Sequence, residues 1–370
     1  MKNQPQYTDL LSLFVNDIPM LDVRAPIEYK QGAFPHTKNI AILKDKEREA
    51  IGIRYKEQGQ EAAIALGKEL VQGETKAERI EQWLDFIEKN PNGVLYCFRG
   101  GLRSQITQMW IKEKTGIVYP RVAGGYKAMR RFLIDTIERL ANQFEIIVLS
   151  GRTGSGKTRL LKQLKTSIDL EGLANHRGSA FGSNPTPQPT PIDFENQLAI
   201  EMLKHEAQGH KMIVLEDEGH NIGSLRLPIP LHDAMQKAKI VLMEVENSER
   251  VDVSICEYVD DVQQQLKVLH GEGNIFVPYE EYLLGSLAKI HKRLGSERHA
   301  KLNKKLKKAI LHQQATGETH LYGDTILSLL VDYYDPMYDY QISKKQQRII
   351  YTGKRQNVLE YLQNMESYIS

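Results

Sequence analysis

The chain is 370 residues long, with 49 Lys and Arg against 47 Asp and Glu and a formal net charge of +2, so total charge gives no argument for a nucleic-acid partner. Cys97 and Cys256 are its only cysteines, which excludes a disulfide framework or a multi-cysteine zinc site and suits a reducing compartment. The length allows two domains and an extension, while a polar N-terminus and the lack of any apolar run near the ~18 residues of a spanning helix argue for a cytoplasmic protein away from membranes.

Residues 18–24 read as a short strand ending Leu-Asp-Val-Arg, followed by a helix and turn around Glu28, Tyr29 and Gly32 and a second strand at 39–43. Residues 44–90 are charged, alanine-rich and helical in period, interrupted by Gly52, Gly59, Gly67 and Gly73, and are expected to form an inserted helical hairpin. The apolar run Val94, Leu95, Tyr96 leads into Cys97-Phe-Arg-Gly-Gly-Leu-Arg103-Ser104, with a helical pattern after it. Cys97 should therefore stand on a strand-to-helix turn. There the helix dipole, Arg99 and Arg103 would favour the thiolate, and inward amides would bind an oxyanion. A strand at 117–122 ends at Gly124-Gly125-Tyr126 before a helix at 127–141.

The Leu-Asp-Val-Arg strand end with Glu28 behind it, the cysteine loop and the closing Gly-Gly resemble a rhodanese domain over about residues 8–141, with 44–90 as an insertion. Such a resemblance implies sulfur or selenium carried on Cys97. The spacing Cys97-x5-Arg103-Ser104 is also that of cysteine phosphatases, whose seven-residue loop wraps a phosphate; rhodanese loops acting on sulfur are usually one residue shorter.

Residues 145–150 form an apolar strand running into Gly151-x4-Gly156-Lys157-Thr158 and a helix bearing Leu160, Leu161 and Leu164. This is a complete P-loop in its required context. The amides of Gly151, Gly154, Ser155 and Gly156 would cradle phosphate oxygens, Lys157 would reach the terminal phosphate, and Thr158 would hold magnesium. Strands at 167–170, 212–215 and 240–245 continue the rhythm of a parallel α/β sheet. The strand at 212–215 ends in Glu216-Asp217-Glu218, where Glu216 or Asp217 would bind magnesium through water or orient a nucleophile. Residues 175–182 and the prolines at 185, 187, 189 and 191 form irregular chain, with His176 and Arg177 as candidate lid residues. Residues 286–312 hold nine Lys or Arg, three His and one Glu. Leu302, Leu306 and Ile310 mark an apolar stripe on this helix, leaving Lys301, Lys304, Lys305 and Lys308 for a phosphodiester backbone. Tyr333, Tyr334, Tyr338 and Tyr340 are candidate platforms for bases.

The expected fold is α/β: a rhodanese-like domain (1–141) with the helical insertion, a P-loop NTPase-like parallel α/β domain (142–285), and a basic helical C-terminal extension (286–370). The fusion of these domains, with residues 172–182 and the Glu216-Asp217-Glu218 strand end, resembles the tRNA 2-selenouridine synthase family. Gly219-His220 stands where that family has Ser-Arg. The resemblance implies replacement of sulfur by selenium in the wobble 2-thiouridine of the tRNA anticodon. The route it implies is S-geranylation from geranyl diphosphate, then selenation from selenophosphate. Selenophosphate synthase is the implied donor partner, and Cys97 the implied selenium carrier, as a perselenide. Two other readings remain at this level: a cysteine phosphatase coupled to a P-loop kinase or ATPase, and a non-catalytic, nucleotide-dependent RNA-binding factor.

Overall fold

The computed structural model describes residues 5–271, 273 and 275–369, with the side chain of residue 369 left aside. The chain forms two compact units, one of residues up to Arg139 together with Thr190–Ala207, the other of Leu140–Pro189 and the chain from Gln208 onward.

The first unit is built on β1 (Gln6–Tyr7), β2 (Met20–Asp22), β3 (Thr37–Asn39), β4 (Val94–Tyr96) and β5 (Arg121–Val122). All pair in parallel, in the order β1-β5-β4-β2-β3. β2 and β4 are fully buried, as parallel strands covered on both faces must be. The expected insertion is a pair of helices, Asp45–Leu70 and Gly73–Lys89. Gly59, at φ +83°, breaks the first of them, a conformation open to glycine but costly for residues bearing a Cβ. The hairpin is anchored by Trp83, which is fully buried, donates from Nε1 to Ile40 O at 2.9 Å and stacks on Trp110. Arg79 adds a fork onto Glu47 at 2.8 and 2.9 Å.

Helix Pro191–Ala207, from the middle of the sequence, belongs to this first unit. Asp193 Oδ1 accepts from Ala33 N at 2.6 Å and Asn196 Nδ2 donates to Ala33 O at 2.7 Å, so both polar groups of one loop residue are satisfied by this helix.

The second unit carries β6 (Glu145–Ser150), β7 (Ser167–Ile168), β8 (Met212–Glu216), the hairpin β9 (Asn221–Ile222) and β10 (Leu225–Arg226), β11 (Lys239–Glu244) and β12 (Ile349–Lys354). The main sheet runs β12-β11-β6-β8-β7, all parallel. Its edge strand thus comes from within the stretch expected to be a helical extension. The sequence Ile-Ile-Tyr-Thr-Gly-Lys alternates half-buried and exposed positions, the period of a strand with one covered face. Between β11 and β12 the chain is helical and closes its own core around Tyr279, Leu287, Leu302, Leu306, Ile310 and Tyr322.

Candidate functional sites

Cys97 follows β4 directly, and helix Leu102–Thr115 begins just beyond the loop. Arg121 Nη1 donates to Gly100 O at 2.7 Å, while the amides of Tyr126 and Lys127 donate to the carbonyls of Cys97 and Phe98, each at 2.9 Å. These bonds turn loop carbonyls outward. Among the described residues, no protein acceptor meets the amides of residues 98–103. Amides without protein acceptors are available to an oxyanion. A Cβ on Gly125, at φ +59°, would lie 2.2 Å from Cys97 O and 2.5 Å from Gly100 N, so the second glycine of the closing Gly-Gly is required by backbone packing on the loop.

The sulfur is nearly buried. Ser104 Oγ lies 3.2 Å from Sγ and donates to Gly101 O at 2.9 Å, linking the thiol to the end of the loop. Arg103 feels the charge of Cys97 but is held first by Glu28. It forms a fork on Glu28, at 2.5 and 3.0 Å. Burial lowers the arginine's pKa, but the Glu28 hydrogen bonds and charge outweigh it and hold it above its ordinary value. Glu28 in turn accepts from Ala25 N at 3.0 Å and lies 3.3 Å from Arg48 Nε. Burial raises the Glu28 carboxyl, but Arg103 prevails and the net shift is downward. Among the described residues Arg99 is exposed and has no acidic partner, which makes it the available cation at this loop.

In the second unit β6 delivers the P-loop. Gly154 and Gly156 take φ of +77° and +74°, and a Cβ on Gly154 would meet Ser254 Oγ at 2.7 Å and Arg250 O at 2.9 Å. Lys157 Nζ donates to Gly151 O at 3.1 Å and stands over the loop. Burial lowers its pKa, but Tyr338, Glu171, Glu218 and Glu216 raise it overall. The Thr153 and Ser155 hydroxyls are buried without hydrogen-bond partners among the described residues, a deficit that a phosphate would relieve.

The acidic strand end is partly engaged within the fold. Glu216 is fully buried; its Oε2 accepts from Leu170 N at 2.9 Å, and Oε1 has no partner among the described residues. Asp217 accepts from Ser150 Oγ at 2.7 Å and from Lys345 Nζ at 2.6 Å. Neither is gathered with other carboxylates into a metal cage. Among the described residues, the only cluster of three ligand-type side chains is His312, Glu318 and His320, which is largely exposed. Glu171, which the sequence reading did not single out, joins Glu218 beside Lys157. Burial first, then the Glu218 charge, pushes Glu171 up to about 8.

His176 and Arg177 sit in a knitted loop: Arg177 N donates to Gly182 O at 2.8 Å, and His176 bridges Ser183. The Arg177 side chain is turned to Asn184 at 3.0 Å and Asp261 at 3.2 Å. Gly178 of this loop passes so close to Glu171 and Glu218 that a Cβ would lie 2.6 and 2.9 Å from their oxygens. His220 stacks on His232 with ring centroids 3.6 Å apart.

Comparison with known sequences now bears on these two sites. The sequence profile described as the tRNA 2-selenouridine synthase AAA domain matches residues 144–368. A Pseudomonas putida tRNA 2-selenouridine synthase is 48% identical over 97% of each chain, and that of Marinobacter nauticus is 46% identical over 99% of this chain and all of its own. A Pseudomonas fluorescens counterpart reaches 49% over 96% of this chain and 97% of its own. This chain belongs to the tRNA 2-selenouridine synthase family. It is therefore an enzyme of tRNA modification, and neither rival reading, phosphatase with kinase or non-catalytic factor, describes its activity.

Other features bear on this synthase function. Lys301, Lys304 and Lys308 are exposed on helix Ser296–Thr316; Lys305 is half-buried and lies 3.9 Å from Asp324. Tyr333 and Tyr334 are packing residues, while Tyr340 is exposed. No helix among the described residues is long and apolar enough to cross a membrane. The sequence reading missed the clamp on the P-loop: buried Arg250 donates to Thr153 O at 2.9 Å and forks onto Asp335 at 2.9 and 2.6 Å. Arg355 donates to Ser155 O at 2.8 Å. No local spacing marks these residues; only the third dimension joins them.

Proposed function

We propose that the two units share a two-step exchange of sulfur for selenium at the wobble 2-thiouridine of tRNA, with the P-loop serving alkylation and the Cys97 loop serving selenation. In the first step the thiocarbonyl sulfur attacks the first carbon of geranyl diphosphate, the C–S bond forms, the C–O bond breaks, and the N3 proton of the base passes to the departing diphosphate or to water. Lys157, the amides of Gly151, Gly154, Ser155 and Gly156, and the orphaned Thr153 and Ser155 hydroxyls would take the charge of the departing diphosphate. Magnesium would be held by Thr158, with the unpartnered Glu216 Oε1 able to reach it through water, while Asp217 is turned to Ser150 and Lys345. When bound it would supply further charge stabilisation to the leaving diphosphate.

In the second step selenophosphate enters the Cys97 nest. A perselenide made directly from it would require selenium to be oxidised, and no oxidant is at hand. Attack on phosphorus balances: the Cys97 thiolate forms an S–P bond, the P–Se bond breaks, and selenide leaves with the electron pair. Selenide then adds to carbon 2, the C–S bond breaks, and geranylthiolate departs and takes a proton. Water hydrolyses phosphocysteine to restore the thiol and release phosphate. This chemistry calls for a phosphate-sized loop around a cysteine, and the observation that carries it is the ring of unpaired amides at residues 98–103 beside Arg99 and Arg103.

The test is nucleoside analysis of tRNA from cells carrying Cys97→Ala or Lys157→Ala. Cys97→Ala is expected to abolish 2-selenouridine while the geranylated nucleoside persists or accumulates; Lys157→Ala is expected to lower both. Unchanged 2-selenouridine in the Cys97 variant would refute the role of the loop. Lys301, Lys304, Lys305 and Lys308 would hold the tRNA backbone, and selenophosphate synthase would supply the donor.

A further inference from the structure

Beside the Cys97 loop the first unit contains an open cavity of ≈ 1380 Å³, larger than the roughly 300–1,000 Å³ of ordinary small-molecule pockets. Its walls come from two sources. The inserted hairpin contributes Ile51, Ile53, Ile64 and Val71, and the helix following the cysteine loop contributes Ile106 and Trp110. Ile53 is 50% exposed and Tyr55 57% exposed, so the hairpin presents apolar side chains to this space without covering them. Phe98, Arg99, Leu102 and Arg103 of the loop line the same space.

Of the six Lys or Arg in the lining, Arg24 is paired with Asp22 and Arg48 and Arg103 with Glu28, which leaves Lys56, Lys68 and Arg99 against Glu49. An apolar wall with a basic surround fits a ligand that carries a hydrocarbon chain on a polyanion. A plain nucleotide or a free inorganic anion would leave the apolar wall facing water, a cost proportional to its area.

We infer that this cavity receives the geranyl chain of the S-geranylated tRNA nucleoside during the selenation step, the basic residues meeting the flanking phosphates. The inference rests on the two-step reading above and deepens it. The chain acts as a handle: it places carbon 2 at the cysteine loop and distinguishes the alkylated nucleoside from unreacted 2-thiouridine. Because the cavity belongs to the unit holding Cys97, its occupant is the chain already on the tRNA rather than free geranyl diphosphate, whose diphosphate the P-loop of the other unit would hold.

The experiment uses the full-length enzyme, selenophosphate and two anticodon stem-loops, one bearing the S-geranyl and the other the S-methyl nucleoside. Ile53→Glu adds charge at a half-exposed site and should leave the core intact, which circular dichroism checks. The KM for the S-geranyl RNA should rise about tenfold or more, with the S-methyl KM unmoved and Ile53→Leu restoring the original value. Binding of the S-geranyl RNA should also change Trp110 fluorescence in Cys97→Ala, where no turnover confuses the reading. An equal KM rise for both RNAs, or none, would overturn the inference. So would a rise in KM for geranyl diphosphate in the alkylation step, which would assign the cavity to the free donor. Selenation persisting in Cys97→Ala would instead refute the two-step reading; its loss there, with a silent Ile53→Glu, would refute the cavity alone.

Discussion

Glu28→Gln tests the electrostatic design of the cysteine loop. The substitution keeps the shape of the side chain and one acceptor for Ala25 N, but removes the charge facing Arg103 at 2.5 and 3.0 Å and Arg48 at 3.3 Å. Breaking a well-buried ion pair by removing one partner costs roughly 3–5 kcal/mol. Here the Arg103 side chain is 24% exposed, so water recovers part of the loss and about 2–3 kcal/mol is the better figure. For a domain of this size that corresponds to a fall in Tm of roughly 5–10 °C. A second effect runs the other way for chemistry: with its counter-ion removed, the Arg103 charge is free to stabilise negative charge on the sulfur as it attacks. Alkylation of Cys97 by iodoacetamide near neutral pH should therefore quicken while thermal stability drops, with Cys97→Ala identifying any contribution from Cys256. Stability within ~0.5 kcal/mol of the parent, or an unchanged alkylation rate, would refute the assignment of Glu28 as the counter-ion of the Arg103 guanidinium.

Other expected outcomes follow from the same geometry. Gly125→Ala places a methyl group 2.2 Å from Cys97 O at φ +59°, so the loop must shift; a destabilisation of about 1–3 kcal/mol and a fall in 2-selenouridine formation are expected, read by urea unfolding and nucleoside analysis. Glu171, raised to about 8, binds a proton in the folded state that the unfolded chain releases near the ordinary carboxyl value. The stability this confers is complete below that ordinary value and is lost as pH rises through about 8, at up to ~1.4 kcal/mol per pH unit for one full proton. Urea unfolding from pH 5 to 8.5 should show that decline, Glu171→Gln should flatten it, and an unaltered profile would contradict the buried placement. Replacing Lys301, Lys304 and Lys308 with Gln should weaken tRNA binding and flatten its dependence on log salt by roughly 0.7–0.9 for each phosphate no longer neutralised; a parallel line at lower affinity would place the tRNA backbone elsewhere.

What was legible in the sequence was what is local in the chain. The cysteine loop, the P-loop and the helical hairpin each occupy one stretch, and residue type and spacing determine their backbone directly: Gly154 and Gly156 need left-handed φ, and the hairpin follows the 3.6-residue period. Pairing across distance was illegible. Glu28 lies 75 residues from Arg103, and Arg250 lies 85 from Asp335; nothing in a motif reveals that the arginine of the loop is neutralised or that the P-loop is clamped. β12 escaped for the same reason: six residues of modest apolarity behind a long helical region look like more of that region until β11 offers them an open edge. The tyrosines show the converse, since Tyr333 and Tyr334 have the composition of a base platform but are buried in packing.

The two phosphate sites differ in how their charge is balanced, and this bears on what each can bind. At the cysteine loop the arginine is paired to a carboxylate of lowered pKa, so that pair stays ionised across the working range and Arg99 with the amides supplies the attraction. At the P-loop, Lys157 faces Glu171, Glu216 and Glu218, all raised chiefly by burial. Protonated, these carboxyls leave the lysine charge free to meet a diphosphate; ionised, they compete with it. Diphosphate binding should therefore carry proton uptake that is absent at the cysteine loop. Calorimetry in buffers of different ionisation enthalpy measures that uptake with inorganic diphosphate, and Lys157→Ala, which removes the P-loop cation, shows how much of the signal the cysteine loop contributes. Binding with no net proton uptake between pH 7 and 8.5 would mean that the carboxyls are not coupled to the lysine.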